Sequence, residues 1–141
     1  MQEPILLTGK YLAKDVGAIS FVNDFTFKDV IRFYMVHLQE PKVPREWHGH
    51  QQEFKYVTVV AGKALITAVP IDDWQNPSKV TKVFSYEISV DKPAVLYIPP
   101  GYANSSMALS DQCSIMYFSN RTVAQSQADD FRWPADYWGI L

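Results

Sequence analysis

Two histidines one residue apart are the side chains best suited to chemistry in this sequence. His48 and His50 lie in the run REWHGH, which begins at Arg45. In a β-strand, residues two apart point to the same face, so both imidazoles would share one face. Where such a face looks into a barrel, the site is concave and partly dry, and the pKa of each imidazole can be tuned for acid or base work near neutral pH. The pattern therefore predicts a catalytic histidine pair.

A lysine on the following predicted strand is placed to enter the same cavity. Lys55, Val57 and Val59 alternate onto one face, so the ammonium group would sit among apolar neighbours. An ammonium group in such surroundings can stabilise an enolate oxygen or a phosphate. We therefore expect Lys55 beside the two histidines.

An earlier strand, within IRFYMVHL, combines an anion binder with a phenol. Alternation places Arg32 and Tyr34 on one face and His37 on the other. A guanidinium group can hold a diphosphate at two points, and a phenol can donate a proton, whereas His37 is expected to be structural. Tyr102 and Asn104 follow the turn in IPPGYAN and are expected near the mouth of a barrel.

These groups must be carried by β-strands. Short β-branched and aromatic runs bounded by Pro, Gly, Asn and Asp recur along the chain, while long amphipathic helical patterns are few. Closely spaced strands favour an all-β jelly-roll barrel, and Ala61-Gly62 is interpreted as a tight hairpin. The aromatic C-terminal segment is expected to pack against the body. The predicted strands cover residues 18–22, 30–38, 46–50, 54–61, 63–69, 80–88, 94–98, 106–109 and 113–119.

Length and composition narrow the classes of protein. A chain of 141 residues is the size of one domain, so we expect a single domain over residues 1–141. A net charge of −2 provides no basic field for binding nucleic acid. No apolar run approaches the roughly 20 residues that span a membrane, and the N-terminus lacks a leader pattern. These features predict a soluble cytoplasmic protein, in which the single cysteine, Cys113, is a buried hydrophobe.

The motifs resemble a known family. The run REWHGHQQEFKYVTVVAG, together with IPPGYANS and SQADDFRWPADYW, is similar to the small RmlC-like cupins that act on dTDP-4-keto-6-deoxy sugars, and the similarity covers about residues 15 to 138. The resemblance implies a cupin double-stranded β-helix and a cofactor-independent isomerase acting on a nucleotide-diphosphate sugar. It also implies a homodimer. Two branches of this group match parts of the sequence.

The first branch is the dTDP-4-dehydrorhamnose 3,5-epimerases, whose Arg-Gly-Leu-His motif is matched by Arg45 and His48. By that likeness His48 removes a proton next to the C4 ketone, Lys55 stabilises the enolate, and Tyr117 delivers a proton to the opposite face. The second branch is the WxcM-like (FdtA-type) 3,4-ketoisomerases. There both histidines and Tyr34 would shuttle protons between C3 and C4.

The sequence departs from each branch. The epimerases carry an aspartate that partners the catalytic histidine, and no residue of this sequence matches it; Glu53 or Asp129 could replace it. Asn104 stands where the epimerases have a histidine, and Lys55 stands where the ketoisomerases have a glutamine. The predicted catalytic residues are Tyr34, His48, His50, Lys55 and Tyr117, and the predicted substrate-binding residues are Arg32, Arg45, Glu53, Tyr102 and Asn104.

Two further classes of protein match parts of the sequence. His48, His50 and Glu53 have a spacing similar to the first motif of metal-binding cupins, but Asn104 occupies the place of the usual further histidine, so no metal is expected. A sugar-binding cupin without catalytic activity remains the other alternative.

Overall fold

The computed structural model describes residues 1–139, and the regular secondary structure there is almost entirely β-strand. Its elements are β1 (Ile5–Thr8), β2 (Lys10–Lys14), β3 (Gly17–Phe21), β4 (Arg32–Leu38), β5 (Trp47–His50), β6 (Lys55–Ala61), β7 (Lys63–Pro70), β8 (Phe84–Ser89), β9 (Ala94–Ile98), β10 (Tyr102–Ala108), β11 (Cys113–Ser119), α1 (Val123–Gln127) and β12 (Phe131–Trp133). Within residues 1–139, no helix is long and apolar enough to cross a bilayer.

The strands form two five-stranded antiparallel sheets. The first sheet has the order β1-β9-β6-β11-β4, and the second has the order β12-β5-β10-β7-β8, while β2 and β3 pair in a separate hairpin. Buried apolar side chains from both sheets form one core, among them Val57, Leu96 and Ile115 from the first sheet and Ile66 and Ile88 from the second. This arrangement of two facing sheets confirms the predicted all-β jelly-roll fold.

The predicted strands all overlap observed ones, and 94–98 and 113–119 match at both ends. The segment 80–88 was predicted too long: β8 begins at Phe84, and Val80 is 92% exposed. The segment 106–109 was predicted too short, because β10 begins at Tyr102. β1, β2, β12 and α1 were not predicted from the sequence.

The prediction of a hairpin at Ala61-Gly62 is wrong. β6 pairs with β9 and β11, whereas β7 pairs with β8 and β10, so this turn carries the chain from one sheet to the other. Gly62 has φ +73°, and a Cβ there would collide with the backbone of Gln112. Both the backbone conformation and the close approach therefore require glycine.

The C-terminal segment packs against the second sheet, as its aromatic composition predicted. β12 pairs with β5, which adds a strand to the edge of the sheet. Tyr137 donates a hydrogen bond to the carbonyl of Pro77 (2.8 Å), and the Trp138 indole donates one to the carbonyl of Ser78 (2.9 Å). These bonds attach the C-terminal segment to the loop between β7 and β8. Cys113 is buried and free, also as predicted.

Candidate active site

The four residues of β5 divide between two environments. His48 and His50 face the space between the sheets, where both line one cavity. Trp47 faces the other way, into an aromatic cluster on the outer side of the second sheet. A Cβ at Gly49 would lie 2.8 Å from the ring of Trp133, so a larger residue would force the ring or the strand to shift.

Two adjoining cavities lie between the sheets near β5. The outer cavity, of about 170 Å³, and the more enclosed inner cavity, of about 120 Å³, share Tyr34, His48 and Lys55. The outer cavity is also lined by Arg32, His50, Ser126, Gln127, Asp130 and Arg132. The inner cavity is also lined by Arg45, Glu46, Asn104, Ser105, Ser106 and Tyr117.

The side chains of the site come from opposite walls. Tyr34, Lys55 and Tyr117 belong to β4, β6 and β11 of the first sheet, whereas His48 and Asn104 belong to β5 and β10 of the second. The register supports this placement, since Tyr34 pairs with Tyr117 and His48 pairs with Asn104. A ligand in the inner cavity would therefore have imidazole on one side and phenols on the other.

His48 is held in its neutral form. Burial, followed by the nearby charges of Arg45, Lys55 and Arg132, lowers the pKa of His48 from 6.5 to about 4. Its Nε2 atom is buried without a hydrogen bond and lies 3.8 Å from a carboxylate oxygen of Glu46. A neutral ring with an unoccupied nitrogen can accept a proton at neutral pH.

His50 is oriented by the tail of the chain. Its Nδ1 atom lies 2.6 Å from the backbone carbonyl of Asp129, and because a carbonyl only accepts, Nδ1 carries the hydrogen and Nε2 is free in the neutral ring. Burial lowers the pKa of His50, and Lys55 lowers it further, while Glu53 raises it. The Asp129 carboxylate accepts hydrogen bonds from the backbone N–H groups of Gln51 and Gln52 and so fixes the loop after β5.

Lys55 lies between two aromatic rings and a carboxylate. Its Nζ atom is 5.9 Å and 5.6 Å from the ring centres of Tyr34 and Tyr117, which stack in parallel with centres 5.0 Å apart. Burial lowers the pKa of Lys55, and Glu53 is the main group that opposes this shift. Burial also raises the pKa of both Tyr34 and Tyr117, so the phenols keep their protons.

Glu53 lies behind the cavity walls. Its carboxylate is 3.7 Å from Arg32, 3.9 Å from His50 Nε2 and 3.8 Å from Lys55 Nζ, and its side chain is 1% exposed. Neither carboxylate oxygen forms a hydrogen bond within residues 1–139. In this described range, no group of three His, Cys, Asp or Glu side chains is arranged to hold a metal ion.

One predicted site residue lies elsewhere. Tyr102 is buried in the apolar core, packs against Phe84, and donates its hydroxyl hydrogen to the carbonyl of Gln2 (3.0 Å). Because β10 begins at Tyr102, this side chain belongs to a strand inside the barrel instead of a loop at its mouth. Glu53, which was predicted to bind substrate, lies behind the walls and lines neither cavity. The other predicted residues line the two cavities: Arg32, Tyr34, Arg45, His48, His50, Lys55, Asn104 and Tyr117.

Several residues that line the cavities were not predicted from the sequence. Glu46 directly precedes β5 and lies two positions before His48, within the predicted strand 46–50, so alternation in that predicted strand could have placed it beside the cavity. Arg132 bonds to Glu46 (3.2 Å) and Asp130 (3.0 Å), and the alternation in Phe-Arg-Trp was the signal for β12. Ser126, which follows the Thr122 cap of α1, had no comparable signal. Gln127, Ser105 and Ser106 were missed as well.

Comparison with known proteins agrees with the geometry. The rmlC epimerase of Mycobacterium tuberculosis is similar in structure, with 18% identity, a TM-score of 0.77 and coverage of 98% of this chain and 73% of that one. The sugar 3,4-ketoisomerase QdtA of Thermoanaerobacterium thermosaccharolyticum has 16% identity and a TM-score of 0.69, over 98% of this chain and 93% of its own. These identities support the fold. No curated protein matches the chain significantly in sequence.

Family assignment comes from the sequence itself. The family model described as dTDP-4-dehydrorhamnose 3,5-epimerase matches residues 28–140, which is most of the chain and includes every predicted site residue. The match confirms the predicted RmlC-like group and the predicted class of enzyme, a nucleotide-sugar isomerase. The chain therefore belongs to the dTDP-4-dehydrorhamnose 3,5-epimerase family.

Proposed function

We propose that the chain inverts the carbons flanking the ketone of a dTDP-linked 4-keto-6-deoxyhexose, with His48 as the base. The observation that carries the proposal is the placement of His48 and the Tyr34–Tyr117 pair on opposite walls of the inner cavity. Inversion at carbon requires that a proton leave one face and that another arrive at the opposite face. A base and an acid on facing sheets meet that requirement.

The proposed reaction has two proton transfers at each carbon. His48 Nε2 takes the proton from the carbon next to the ketone, and the electron pair of that bond moves to the C4 oxygen to form an enolate. Lys55 stabilises the enolate charge. The ketone is restored when the carbon takes a proton from Tyr117 on the other face, after which Tyr117 regains a proton from solvent and His48 loses one.

The arginines are the proposed binding groups for the diphosphate. Arg32 and Arg132 line the outer cavity and Arg45 lines the inner one, and guanidinium groups pair well with phosphate oxygens. QdtA was crystallised in complex with TDP, and a mutant of it with TDP-4-keto-6-deoxyglucose. Those complexes support a dTDP-linked substrate for a chain of the same fold.

A 3,4-ketoisomerase is the second candidate. His48 and His50 line the outer cavity together with Tyr34, which is the arrangement that moving a proton between C3 and C4 would use. The two candidates share the first step, removal of a proton made acidic by the ketone, and differ in where the proton is returned. The products therefore separate them.

The test is incubation with dTDP-4-keto-6-deoxyglucose in deuterated water, followed by NMR. Deuterium at C3 and C5 with inverted configuration is the expected result. A ketone at C3 would assign the ketoisomerase, and binding without any exchange would leave a non-catalytic sugar-binding cupin. His48→Asn should abolish exchange, and His37→Asn is the matched control, because His37 is exposed on the other face of β4.

The assembly and location stay predictions. A homodimer is supported by the hairpin of β2 and β3, where Leu12, Val16 and Ile19 expose apolar side chains to solvent. Light scattering of the purified protein should give twice the mass of one chain, and the mass of a single chain would contradict the prediction. Fractionation of the cells that make the protein tests the predicted cytoplasmic location.

A further inference from the structure

We propose that Glu53 is the positioning residue of this site, a shared counter-ion that keeps Lys55 in the ammonium form and leaves its N–H groups free for the substrate. The proposal rests on the proposed function, because it explains how Lys55 would stabilise an enolate. Glu53 lines neither cavity, so it acts through its neighbours instead of touching the substrate.

The surroundings of the Glu53 carboxylate are rich in ionisable nitrogen groups. Its three nitrogen neighbours come from β4, β5 and β6, so groups from both sheets converge on it. A buried carboxylate without hydrogen bonds is costly, and it persists in a fold where opposite charges compensate it. The positive charges of Arg32 and Lys55 therefore account for the presence of a buried carboxylate at Glu53.

Lys55 lies in surroundings that oppose its charge. Burial disfavours its charged form, and Arg32 and Arg45 disfavour it further through repulsion. The other titratable groups near it are Tyr34 from β4, His48 and His50 from β5, and Tyr117 from β11. Glu46, Asp130 and Arg132 line the same cavities. Within residues 1–139, Glu53 is the carboxylate that forms an ion pair with Lys55, and it favours the ammonium form more than Tyr117 does.

Glu53 and Lys55 are close together without forming a hydrogen bond. Glu53 lies 3.8 Å from Lys55 Nζ, which is close enough for strong attraction in a buried site and too far for a hydrogen bond. An ammonium group has three donors, and this contact occupies none of them. Glu53 thus supplies charge without competing with a substrate oxygen for the donors.

Glu53→Gln is the principal test, because the amide keeps the size of the side chain and removes its charge. We expect kcat to fall about tenfold or more, with KM changed less than about threefold, and the alkaline limb of the kcat profile to move at least about one pH unit lower. Glu87→Gln is the matched control: Glu87 pairs with Lys63 on the surface, 3.3 Å apart, and should leave the profile unchanged. An unchanged profile in Glu53→Gln would overturn the proposal.

A second readout does not depend on turnover. NMR of protein labelled at the lysine ε-carbon, with Lys55→Met to assign the signal, gives the pKa of Lys55 directly. We expect that pKa to be at least about one unit lower in Glu53→Gln than in wild type. Equal pKa values in the two proteins would contradict the positioning role. If the two pKa values differ as expected but the wild-type protein turns over no keto sugar, only the proposed function is contradicted.

Glu53→Asp covers the case in which the glutamine variant fails to fold. Aspartate keeps the negative charge, but its side chain is one methylene shorter. The pKa of Lys55 should therefore stay within about half a unit of wild type while kcat falls. A fall of the Lys55 pKa as large as that expected for Glu53→Gln would show that charge at this position is not the cause.

Discussion

The two faces of β5 both carry buried polar atoms, but they differ in whether those atoms form hydrogen bonds. On the outer face, Trp47 is fully buried, its indole donates to the carbonyl of Ala135 (3.1 Å), and its ring meets that of Trp138 edge to face. On the inner face, the Nε2 atom of His48 is buried with no hydrogen bond. The buried indole N–H of the outer face has a hydrogen-bond acceptor, whereas the buried Nε2 atom of His48 on the inner face has no hydrogen-bond partner within residues 1–139.

This difference indicates how a small barrel holds reactive groups still. An imidazole that must accept a proton from a substrate cannot be fixed through the same nitrogen. The strand that carries it can instead be fixed from behind by close packing, which resists displacement. The tryptophans behind β5 therefore serve the site without touching it, and substitutions on the two faces should affect different quantities.

The largest effect is expected from a substitution on the inner face, which should lower the activity. His48→Asn removes the base and keeps a polar side chain of similar shape, so kcat/KM should fall about 100-fold to 10,000-fold. The free energy of unfolding should change by less than about 1 kcal/mol. Steady-state kinetics and urea unfolding of the same preparation measure both. Activity within twofold of wild type would break the distinction between the faces.

The second largest effect is expected from substitutions on the outer face, which should lower the stability of the fold. Trp47→Ala removes the largest fully buried side chain, and the free energy of unfolding should fall by about 3–5 kcal/mol. Urea or thermal unfolding measures the change. Trp47→Phe keeps most of the apolar contact and loses the bond to Ala135, so it should cost less. A loss below about 1 kcal/mol in Trp47→Ala would show that the outer face does not hold the strand.

Gly49→Ala sharpens the comparison, because it presses on the outer face with a single methyl group. The new Cβ would lie 2.8 Å from Trp133 and 3.1 Å from Trp74, so the rings or the strand must move. Overpacking of this kind costs about 1–3 kcal/mol. If the strand moves, kcat at saturating substrate should fall together with the free energy of unfolding. If only the tryptophan rings move, the free energy of unfolding should fall and kcat should stay the same.

The pH profile tests the environment of the inner face. A pKa of about 4 for His48 means that its neutral form persists well below the usual histidine range. In the free enzyme, kcat/KM should therefore stay level from pH 7 to about pH 5 and fall near pH 4. An acid limb near pH 6.5 would indicate a histidine exposed to water instead of one held between the sheets.

The smallest effect is expected at His37. Its side chain is exposed, and its Nδ1 atom makes one hydrogen bond of 2.7 Å with the Ser114 hydroxyl. His37→Ala should change the free energy of unfolding by about 0.5 kcal/mol or less and leave kcat/KM unchanged. A loss of activity here would mean that the two faces of β4 are not as separate as the geometry indicates.

Alternation of side chains allowed much of the site to be predicted. It placed Arg32 with Tyr34 and His48 with His50, because residues two apart on a strand share a face whatever the rest of the chain does. It failed where the answer depends on contacts between distant segments. The sequence alone could not show that β12 pairs with β5 and brings Arg132 beside Glu46.

The same limit explains the errors in the fold. A glycine between two apolar strands is typical of a hairpin and also of a crossing between sheets, and only the pairing partners of β6 and β7 distinguish the two at Gly62. Tyr102 was placed at the barrel mouth because the proline-glycine turn precedes it. The strand in fact begins at that residue, since its backbone pairs with β5 and β7 at once.

The central claim, a base and an acid on opposite walls, is tested most directly by following exchange and inversion separately in Tyr117→Phe. In deuterated water, this variant should still exchange the proton next to the ketone, because His48 can return deuterium to the face from which it took the proton. The inverted product should form much more slowly than in wild type. Equal losses of exchange and inversion, or inversion at the wild-type rate, would contradict the account.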